Sequence, residues 1–370
     1  MYSIALKGYF AIGNHQNRLN AGRCLNVAVC SSIRKPILEY LFATNILKLI
    51  KLMPKFDLSI IIVSFNTRHL LADMFESLHA ASSKLTIQII VTDNASSDGS
   101  CEFILSNYPE VLLIENTKNV GFGRANNQAL PYIEGNYVLL LNTDAFVSPD
   151  TLEKTIRYMD KKPRCGVLGV KLKGRNGELQ PSCRFFPTPL NVFLNSTGLN
   201  QIFRNIQMID DMQWDHASTR RCDWVPGCYY LVRREVIDQV GLFDSRYFLY
   251  YEEVDHCFAV KNAGWETHYY PHTTVVHIGG ESAKTEGILT NSGKQLENMQ
   301  IESELLYFRK NHGLMTAINS VILCILGDAI CIFKSLFRGR PKLRAFCYLK
   351  HSVLVCRLFA RTRLGTKPTR

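Results

Sequence analysis

Short apolar runs alternate with helix-like patterns through residues 58–141. The runs consist almost entirely of Val, Ile and Leu, which predicts strands buried on both faces of a sheet. Between the runs, apolar residues recur three and four positions apart, the spacing of one helix face. This alternation is typical of a parallel sheet joined by right-handed crossovers. Strands are predicted over 58–65, 86–93, 111–116 and 137–141, and helices over 67–81, 97–107 and 121–130.

The order of elements changes after about residue 170. The pattern there predicts a strand over 222–232, helices over 233–240 and 252–264, and a strand over 267–271. We therefore predict an α/β fold whose first half is built on a parallel sheet.

Two carboxylates stand where predicted strands end. Asp93 closes the second strand and Asp144 closes the fourth. The carboxyl ends of parallel strands share one rim of the sheet, where ligands bind in open α/β folds. Two acids on that rim suggest a ligand that carries a cation or donor groups. Loop carboxylates also serve in turns and caps, so position alone leaves both roles open.

Charge is uneven along the 370 residues, of which 46% are hydrophobic and 20% charged. The net charge is +11, and residues 334–370 contain eleven Lys or Arg and no acid. This tail predicts contact with an anionic surface, a membrane or a nucleic acid, although a solvated tail has the same composition. The twelve cysteines include no CxxC pair, which indicates free thiols in a reducing, cytosolic compartment.

The two ends of the chain differ from the body. Residues 1–52 are basic, and the body begins at Met53, which we expect to be the physiological start. Residues 314–333 form an apolar run of twenty with a single charge, Asp328. That length is sufficient for a transmembrane helix.

Eight stretches between Leu58 and Ser282 together resemble the family 2 glycosyltransferases of GT-A fold, within their bacterial rhamnosyltransferase-like branch. The resemblance implies a Rossmann-like, mixed and mostly parallel sheet flanked by helices. It also implies transfer of a sugar from a nucleotide diphosphate to an acceptor hydroxyl, with inversion at the anomeric carbon. The stretches are IIIVSFN, VTDNASSDGS, NVGFGRANN, VLLLNTD, GELQPSCRFFPT, WVPGCYYLVRREV, GLFDSRYFLYYEEVDHC and VVHIGGES.

The resemblance divides the chain into four parts. The catalytic domain spans 53–282, with a nucleotide-sugar half over 53–170 and an acceptor half over 171–282. A helical connector follows over 283–312, and the apolar helix and basic tail occupy 313–370. Residues 1–52 are the fourth part, a basic N-terminal extension.

The family places an Asp-x-Asp triplet at the end of the fourth strand, where it holds a divalent metal, Mg²⁺ or Mn²⁺, against the pyrophosphate. Here the triplet is Asn142-Thr143-Asp144, so the resemblance makes Asp144 the metal ligand. Asn142 departs from the pattern and offers a neutral oxygen. His277 matches a histidine that completes the metal site in some relatives, although a lone histidine is also often structural.

The same resemblance assigns the nucleotide site, for a dTDP- or UDP-linked sugar. Asp93 would accept the N3–H of the pyrimidine, and Ser64 and Asn66 would line the nucleoside. Arg124 could face phosphate, although a helix start with packing glycines explains the same stretch. The remaining candidates are Asn119, Gly121, Gly123, Asn126, Trp224 and Gly227.

An inverting transfer needs one base for the proton of the acceptor. The family uses the second acid of a Glu-Asp or Asp-Asp pair. Here the pair is Glu252-Glu253, so Glu253 takes the base position and departs from the pattern by one methylene. Asp255 is a nearby alternative, and acids in a first helical turn also simply favour the helix dipole.

Nucleotide sugars are cytosolic, so the resemblance places the catalytic domain at the cytoplasmic face of the inner membrane. A single span would carry the basic tail to the far side, against the positive-inside rule. We therefore expect the apolar helix to be interfacial or re-entrant, with the tail on anionic lipid. A helix buried against the catalytic domain is the alternative. A lipid-linked or polysaccharide acceptor fits either membrane arrangement.

Three other functions are weighed against this one. A nucleotidyltransferase would want a glycine-rich loop after the first strand, and SFNTRHLL contains no glycine. A scaffold protein that has lost catalysis would explain both departures, and a galactofuranosyl- or other hexosyltransferase would share every motif. A nucleic-acid partner is not expected, because no platform of interleaved aromatic and basic residues appears.

Overall fold

The structure is a computed structural model that describes residues 55–279, 293–336 and 341–370. Four sequence predictions fall on other residues: the extension over 1–52, the start at Met53, the end of the VVHIGGES stretch, and the connector over 283–292. They lie outside the described residues.

The first half follows the predicted alternation closely. Ile60 and Ile62 of the first strand pack into one hydrophobic core and Ile61 packs into the other, as expected for a strand covered on both faces. Short 3₁₀ turns occupy Leu130–Tyr132 and Leu199–Gln201. The elements are β1 (Phe56–Ser64), α1 (Arg68–Ala81), β2 (Ile87–Asp93), α2 (Ser100–Asn107), β3 (Leu112–Glu115), α3 (Phe122–Gln128) and β4 (Gly135–Asn142).

The second half contains more strands than the sequence predicted, and its last strand is longer. The elements are β5 (Ala145–Val147), α4 (Thr151–Asp160), β6 (Cys165–Lys173), β7 (Leu179–Gln180), α5 (Pro189–Thr197), β8 (Arg220–Cys222), β9 (Tyr229–Arg233), α6 (Arg234–Val240), α7 (Glu252–Asn262), β10 (Glu266–His277), α8 (Gly293–Ser335) and α9 (Pro341–Arg361).

The prediction of one strand over 222–232 is wrong. Pro226 and Gly227 interrupt the run, because proline cannot donate a ladder hydrogen bond and glycine weakens a strand. The two pieces then pair with different partners. The β8 piece pairs antiparallel with β10, and the β9 piece pairs antiparallel with β4 and β6.

The ten described strands form one sheet in the order β3-β2-β1-β4-β9-β6-β10-β5, with β7 beside β6 and β8 beside β10. Strand β1 runs parallel to β2 and β4, and the pairs β2–β3 and β6–β10 are also parallel. Most of the antiparallel pairs are shorter, with two or three partnered residues, and β4–β9 has five. The predicted α/β fold with a mixed, mostly parallel sheet and flanking helices is confirmed.

Strand direction brings several predicted site residues to one rim. Strands β1, β2 and β4 end there because they are parallel. Strand β9 begins there because it is antiparallel to β4, with Tyr229 opposite Leu141. Strand β10 is parallel to β6, which is itself antiparallel to β9, so β10 ends at the same rim with His277 opposite Ala145.

Helix α8 consists of two parts that meet at Gly313, whose φ of 85° lies outside helical geometry. The part before Gly313 packs on the body, where Tyr307 and Phe308 are fully buried. From Leu296 to Ser335 the helix is long and apolar enough to cross a membrane, yet only 28% of its most apolar 18-residue stretch is buried. Most of the apolar part is therefore not covered by the catalytic domain.

Candidate active site

Glu253 stands at the start of α7, where its carboxylate meets the turn before β9. The Gly227 N–H donates to Glu253 Oε1 at 2.9 Å. A Cβ at position 227 would displace this carboxylate from its present place. The next residue, Cys228, is buried, and burial is the main cause of the raised pKa of its thiol. The negative charges of Asp144 and Glu253 raise that pKa further. The Gly227 bond, together with the bond from the Asn142 N–H to the Cys228 carbonyl, places the start of α7 and the end of β4 at the same turn.

Burial raises the pKa of Glu253, and it raises that of the adjacent Glu252 further. Glu252 is 2% exposed, and its Oε2 has no hydrogen-bond partner among the described residues. The negative charge of Glu253 also favours the neutral form of Glu252. Glu253, which is half-buried, is thus the more accessible member of the pair.

Asp144 and His277 lie together where β4 and β10 end. Asp144 Oδ1 is 3.5 Å from His277 Nε2. The other ring nitrogen, Nδ1, is 2.8 Å from Gln180 Oε1, and Gln180 Nε2 donates to the His277 carbonyl. With Nδ1–H donating to Gln180, the lone pair of Nε2 is directed towards Asp144. The sequence did not single out Gln180, because its role depends on a contact across 97 residues.

These donors fit a divalent metal. Two neighbouring ligands of an octahedral ion lie about 3 Å apart, so a small rotation of the imidazole brings both atoms into range. A metal-bound histidine usually donates its second N–H to an oxygen, and Gln180 supplies one. Burial lowers the pKa of His277, which favours the neutral form that a metal requires. Asn142 lies at the same strand end, its N–H donating to the Cys228 carbonyl at 3.2 Å.

The end of β1 and β2 offers buried polar atoms without partners. Asp93 is 1% exposed, and its Oδ2 accepts from the Ser96 N–H at 2.8 Å. Its Oδ1 and the Ser64 hydroxyl are buried and have no partner among the described residues. Such atoms cost free energy unless a ligand satisfies them. The side chain of Asn66 already has a partner within the protein, since its Oδ1 accepts a hydrogen bond from the Ser97 N–H. This bond links the ends of β1 and β2.

The 119–127 stretch is used mainly for packing. A side chain at Gly121, whose φ is 90°, would collide with the Phe248 carbonyl oxygen. Arg124 Nε donates to the Ser245 carbonyl at 2.7 Å. Asn119 accepts from the Gly121 N–H, Asn126 donates to the Phe122 carbonyl, and Gly123 packs on Phe243 and Glu252.

Asp255 faces away from the rim. It is 4% exposed and accepts hydrogen bonds from Lys310 Nζ at 2.6 Å, Asn311 Nδ2 at 2.7 Å and the Tyr247 hydroxyl at 3.1 Å. These bonds tie α7 to the first part of α8. A carboxylate committed to three donors is a poor base, so the geometry favours Glu253.

Trp224 and Arg184 cover the other side of the turn before β9. The indole N–H of Trp224 donates to the Phe185 carbonyl at 2.9 Å, and the Arg184 guanidinium lies 4.8 Å from the indole ring. The positive charge of Arg184 opposes the rise in the pKa of Glu253. The sequence did not single out Arg184 as a site residue, since its neighbourhood is set by tertiary packing.

Residues 59–212 match the family model described as Glycosyl transferase family 2. They form a family 2 glycosyltransferase domain. The predicted strand ends of β1, β2 and β4, with their polar residues, all lie inside the matched range. Glu253 and His277 lie beyond it, on α7 and β10.

Curated proteins similar to this chain include two that are named as rhamnosyltransferases. An N-acetylglucosaminyl-diphospho-decaprenol L-rhamnosyltransferase of Mycobacterium tuberculosis is 27% identical over 60% of the chain and 75% of its own length. A rhamnosyltransferase of Escherichia coli is 29% identical over 59% of the chain and 82% of its own length. A solved mannosyltransferase of Pyrobaculum calidifontis covers 85% of the chain and 88% of its own, at 15% identity and a TM-score of 0.48, too loose a likeness to bear on the site.

The raised pKa of Glu253 predicts the pH dependence of the glycosyltransferase. A base works only when deprotonated, so kcat/KM is expected to fall as the pH drops through the raised pKa. This acidic limb should lie above the ordinary range of a glutamate, about 4.3. Initial rates across the pH range, with the fold checked by circular dichroism at each pH, measure it. A rate that stays constant down to the ordinary range would contradict the assignment.

Proposed function

We propose that this glycosyltransferase moves rhamnose from dTDP-rhamnose to a hydroxyl of a lipid-linked or polysaccharide acceptor, with inversion, at the cytoplasmic face of the inner membrane. The observation that carries the proposal is a pair of hydrogen bonds at the turn before β9: the Asn142 N–H donates to the Cys228 carbonyl, and the Gly227 N–H donates to Glu253, so the strand end that carries Asp144 and the carboxylate of Glu253 meet at one turn. In this proposal Asp144 helps to bind the leaving group and Glu253 acts as the base, and both lie at the same rim of the sheet.

In this mechanism Ser64 and Asp93 bind the nucleoside. The Oδ1 of Asp93 accepts the pyrimidine N3–H, a group that thymine and uracil share. Asp144 and His277 would hold Mg²⁺ or Mn²⁺, which neutralises the pyrophosphate as it leaves. Glu253 takes the proton of the acceptor hydroxyl while its oxygen attacks the anomeric carbon from the face opposite the leaving group. The C–O bond to the nucleotide diphosphate breaks as the new C–O bond forms.

The Gly227 N–H orients the base in this mechanism. A hydrogen bond to the charged carboxylate keeps it aimed at the rim and offsets part of the cost of burying it. The side chain of Glu253 is one methylene longer than the aspartate of the family pattern. The N–H of Gly227 still forms a hydrogen bond with its carboxylate, which holds it at the rim. The departure from the family pattern is compatible with catalysis, which argues against a scaffold.

The donor sugar rests on the relatives rather than on the site. Two of them are named as rhamnosyltransferases, and the chain covers 75% and 82% of their lengths. The acceptor named for the mycobacterial relative is a sugar on a polyprenyl diphosphate. An acceptor of this lipid-linked class is consistent with the exposed apolar helices of the chain.

The exposed helix faces support membrane attachment. Met315, Ile322 and Leu326 recur at helical spacing on α8, and Phe346, Leu349 and Val353 do so on α9, and all six are exposed. An apolar surface in a part of the chain whose sequence carries eleven basic residues over 334–370 fits the headgroup region of an anionic membrane. The first part of α8 also ties down α7 through Lys310 and Asp255, so the base would be held at a fixed height above the lipid.

The test is calorimetric titration of the full chain in mild detergent with dTDP and UDP, each with and without Mg²⁺ or Mn²⁺. Tighter binding of dTDP that requires metal and weakens in Asp93→Asn supports the donor assignment. A transfer assay with dTDP-rhamnose and polyprenyl-diphosphate N-acetylglucosamine follows, with product anomers assigned by NMR. Retention of configuration, or no binding of either nucleotide by folded protein, would refute the proposal.

Restoring the family triplet is expected to tighten the metal site. Asn142→Asp adds a second carboxylate to the end of β4, and oxygen ligands with negative charge bind Mg²⁺ and Mn²⁺ more strongly. We expect the metal concentration for half-maximal activity to fall about tenfold, an interaction of roughly 1.4 kcal/mol. Metal titrations of the two proteins at fixed nucleotide measure it. An unchanged metal requirement would place Asn142 outside the metal site.

A further inference from the structure

A second group of metal-ligand side chains lies between α8 and α9, far along the chain from the candidate active site. It consists of Cys324 and Asp328 on α8 and His351 on α9, and one ligand atom from each lies within 4.8 Å of the other two. Within residues 55–279, 293–336 and 341–370, no other trio of His, Cys, Asp or Glu atoms meets this condition.

The group accounts for the one charge in the apolar run. Asp328 is 7% exposed, and burying a lone carboxylate in an apolar helix is costly. Cys324 and Asp328 are four residues apart and therefore share a helix face. That face meets His351, whose Nδ1 lies 2.9 Å from Asp328 Oδ2 and 3.8 Å from Cys324 Sγ.

These separations fit tetrahedral coordination. Zinc binds sulfur at about 2.3 Å and nitrogen or oxygen at about 2.0–2.2 Å, so its ligand atoms lie about 3.3–3.6 Å from one another. The two distances from His351 Nδ1 depart from this range by a few tenths of an ångström, and the sulfur and carboxylate atoms lie within 4.8 Å of each other. A thiolate, an imidazole and a carboxylate are also the three ligand types that zinc combines in proteins.

Side chains around the three ligands would orient them. The Ser352 hydroxyl donates to Asp328 Oδ2 at 2.6 Å, which fixes the carboxylate. Glu297 Oε1 lies 3.9 Å from His351 Nε2, the ring nitrogen that faces away from the other two ligands. A histidine that binds zinc through one nitrogen commonly donates the other N–H to a carboxylate.

The group borders a cavity of about 240 Å³ between α5, α8 and α9. Glu297, Glu304 and Ser320 line it together with the three ligands. The cavity is large enough for a solvent molecule in the fourth position of the ion. Cys324 and His351 are half-buried, so an ion can reach them from solvent.

We propose that Cys324, Asp328 and His351 form a structural site for Zn²⁺ that fastens α9 to the apolar part of α8. The site is separate from Asp144 and His277, and it differs from them in having a thiolate, which selects zinc over Mg²⁺ or Mn²⁺. Its role is mechanical, since it fixes one exposed apolar helix against the other.

The test uses the full chain in mild detergent, stripped of metal with a chelator and titrated with Co²⁺ as a spectroscopic substitute for zinc. We expect a near-ultraviolet charge-transfer band from a Co–thiolate bond at one equivalent, and its disappearance when Zn²⁺ is added. Unmodified protein without the band, when folded by circular dichroism, overturns the proposal whatever the variants do.

Variants locate the thiolate. Cys324→Ser should abolish the band, while Cys331→Ser, on the same helix, and Cys228→Ser, beside the candidate active site, should keep it. A band that survives Cys324→Ser or vanishes in Cys228→Ser refutes the site. Glu297→Gln should weaken Zn²⁺ binding about 10–100-fold, the usual effect of removing an orienting partner, and unchanged affinity would count against the assigned geometry.

Hydrogen exchange measures the mechanical role. Zn²⁺ should slow exchange in peptides from α9 and leave α1 unchanged, and the effect should be absent in Cys324→Ser. If Asp328 and His351 act only as an ion pair between the helices, Zn²⁺ will change exchange in neither helix, and the proposal fails. Because this readout requires no donor or acceptor, it is independent of the transfer assay.

Discussion

Glu253→Gln is expected to lower kcat about a thousandfold while dTDP binding in the presence of metal stays within twofold. General-base catalysis contributes roughly 10²–10⁴-fold, and an amide of the same shape cannot take a proton. The amide oxygen can still accept from the Gly227 N–H, whose bond at 2.9 Å positions the side chain. Stopped assays of sugar transfer and calorimetry with dTDP measure the two quantities on the same preparation.

Asp255→Asn is the matched control, because it removes a charge from the same helix two residues away. We expect it to keep kcat within a fewfold and to lower the free energy of unfolding by about 1–3 kcal/mol, since a buried bond to a charged partner is lost. Lys310 retains its contact with Asp244 at 2.7 Å, which limits the loss. A large fall in kcat for Asp255→Asn with normal activity for Glu253→Gln would reverse the two roles. Full activity in both variants would favour a different base.

Asp144→Asn is expected to abolish the metal dependence of nucleotide binding and to lower kcat by on the order of a thousandfold. A metal that neutralises a leaving pyrophosphate supplies several kcal/mol to the transition state, and each 1.36 kcal/mol is tenfold in rate. The 5% exposure of Asp144 makes its carboxylate hard to replace by solvent. Calorimetry with dTDP, with and without Mn²⁺, measures the first effect and initial rates measure the second.

Asp238→Asn is the control for Asp144. Its side chain is 61% exposed on α6, a helix that starts where β9 ends and so lies at the opposite edge of the sheet from the rim. We expect no change in either measurement. Mn²⁺-dependent binding that persists in Asp144→Asn would mean that the metal site lies elsewhere, and His277→Gln would then be expected to have no effect either.

The sequence by itself determined the alternating first half of the fold. In β1, β2 and β4, continuous apolar runs require cover on both faces of the sheet, and that cover requires helices between the strands. The rule that parallel strands end together then placed Asp93 and Asp144 on one rim. These inferences need only the local hydrophobic pattern and the shared direction of parallel strands, so they do not depend on knowing which side chains meet in the folded protein.

Tertiary structure separates the two candidate bases at the start of α7. Glu253 and Asp255 are two residues apart in one helical turn, and their composition and spacing do not separate them. Contacts from distant parts of the chain do so, because the Gly227 N–H meets Glu253 while Lys310 and Asn311 engage Asp255. The polar stretch around Arg124 was likewise assigned by packing against the segment that contains Ser245.

The same holds for the apolar run and its single charge. The composition of residues 314–333 predicted a membrane-associated helix, because twenty residues with one charge are long and apolar enough to span a bilayer. It could not explain Asp328, because the partner His351 comes from another helix 23 residues later. Hydrophobic pattern is a local property that sequence records directly, whereas the pairing of buried polar groups depends on which helices meet, and only the folded chain fixes that.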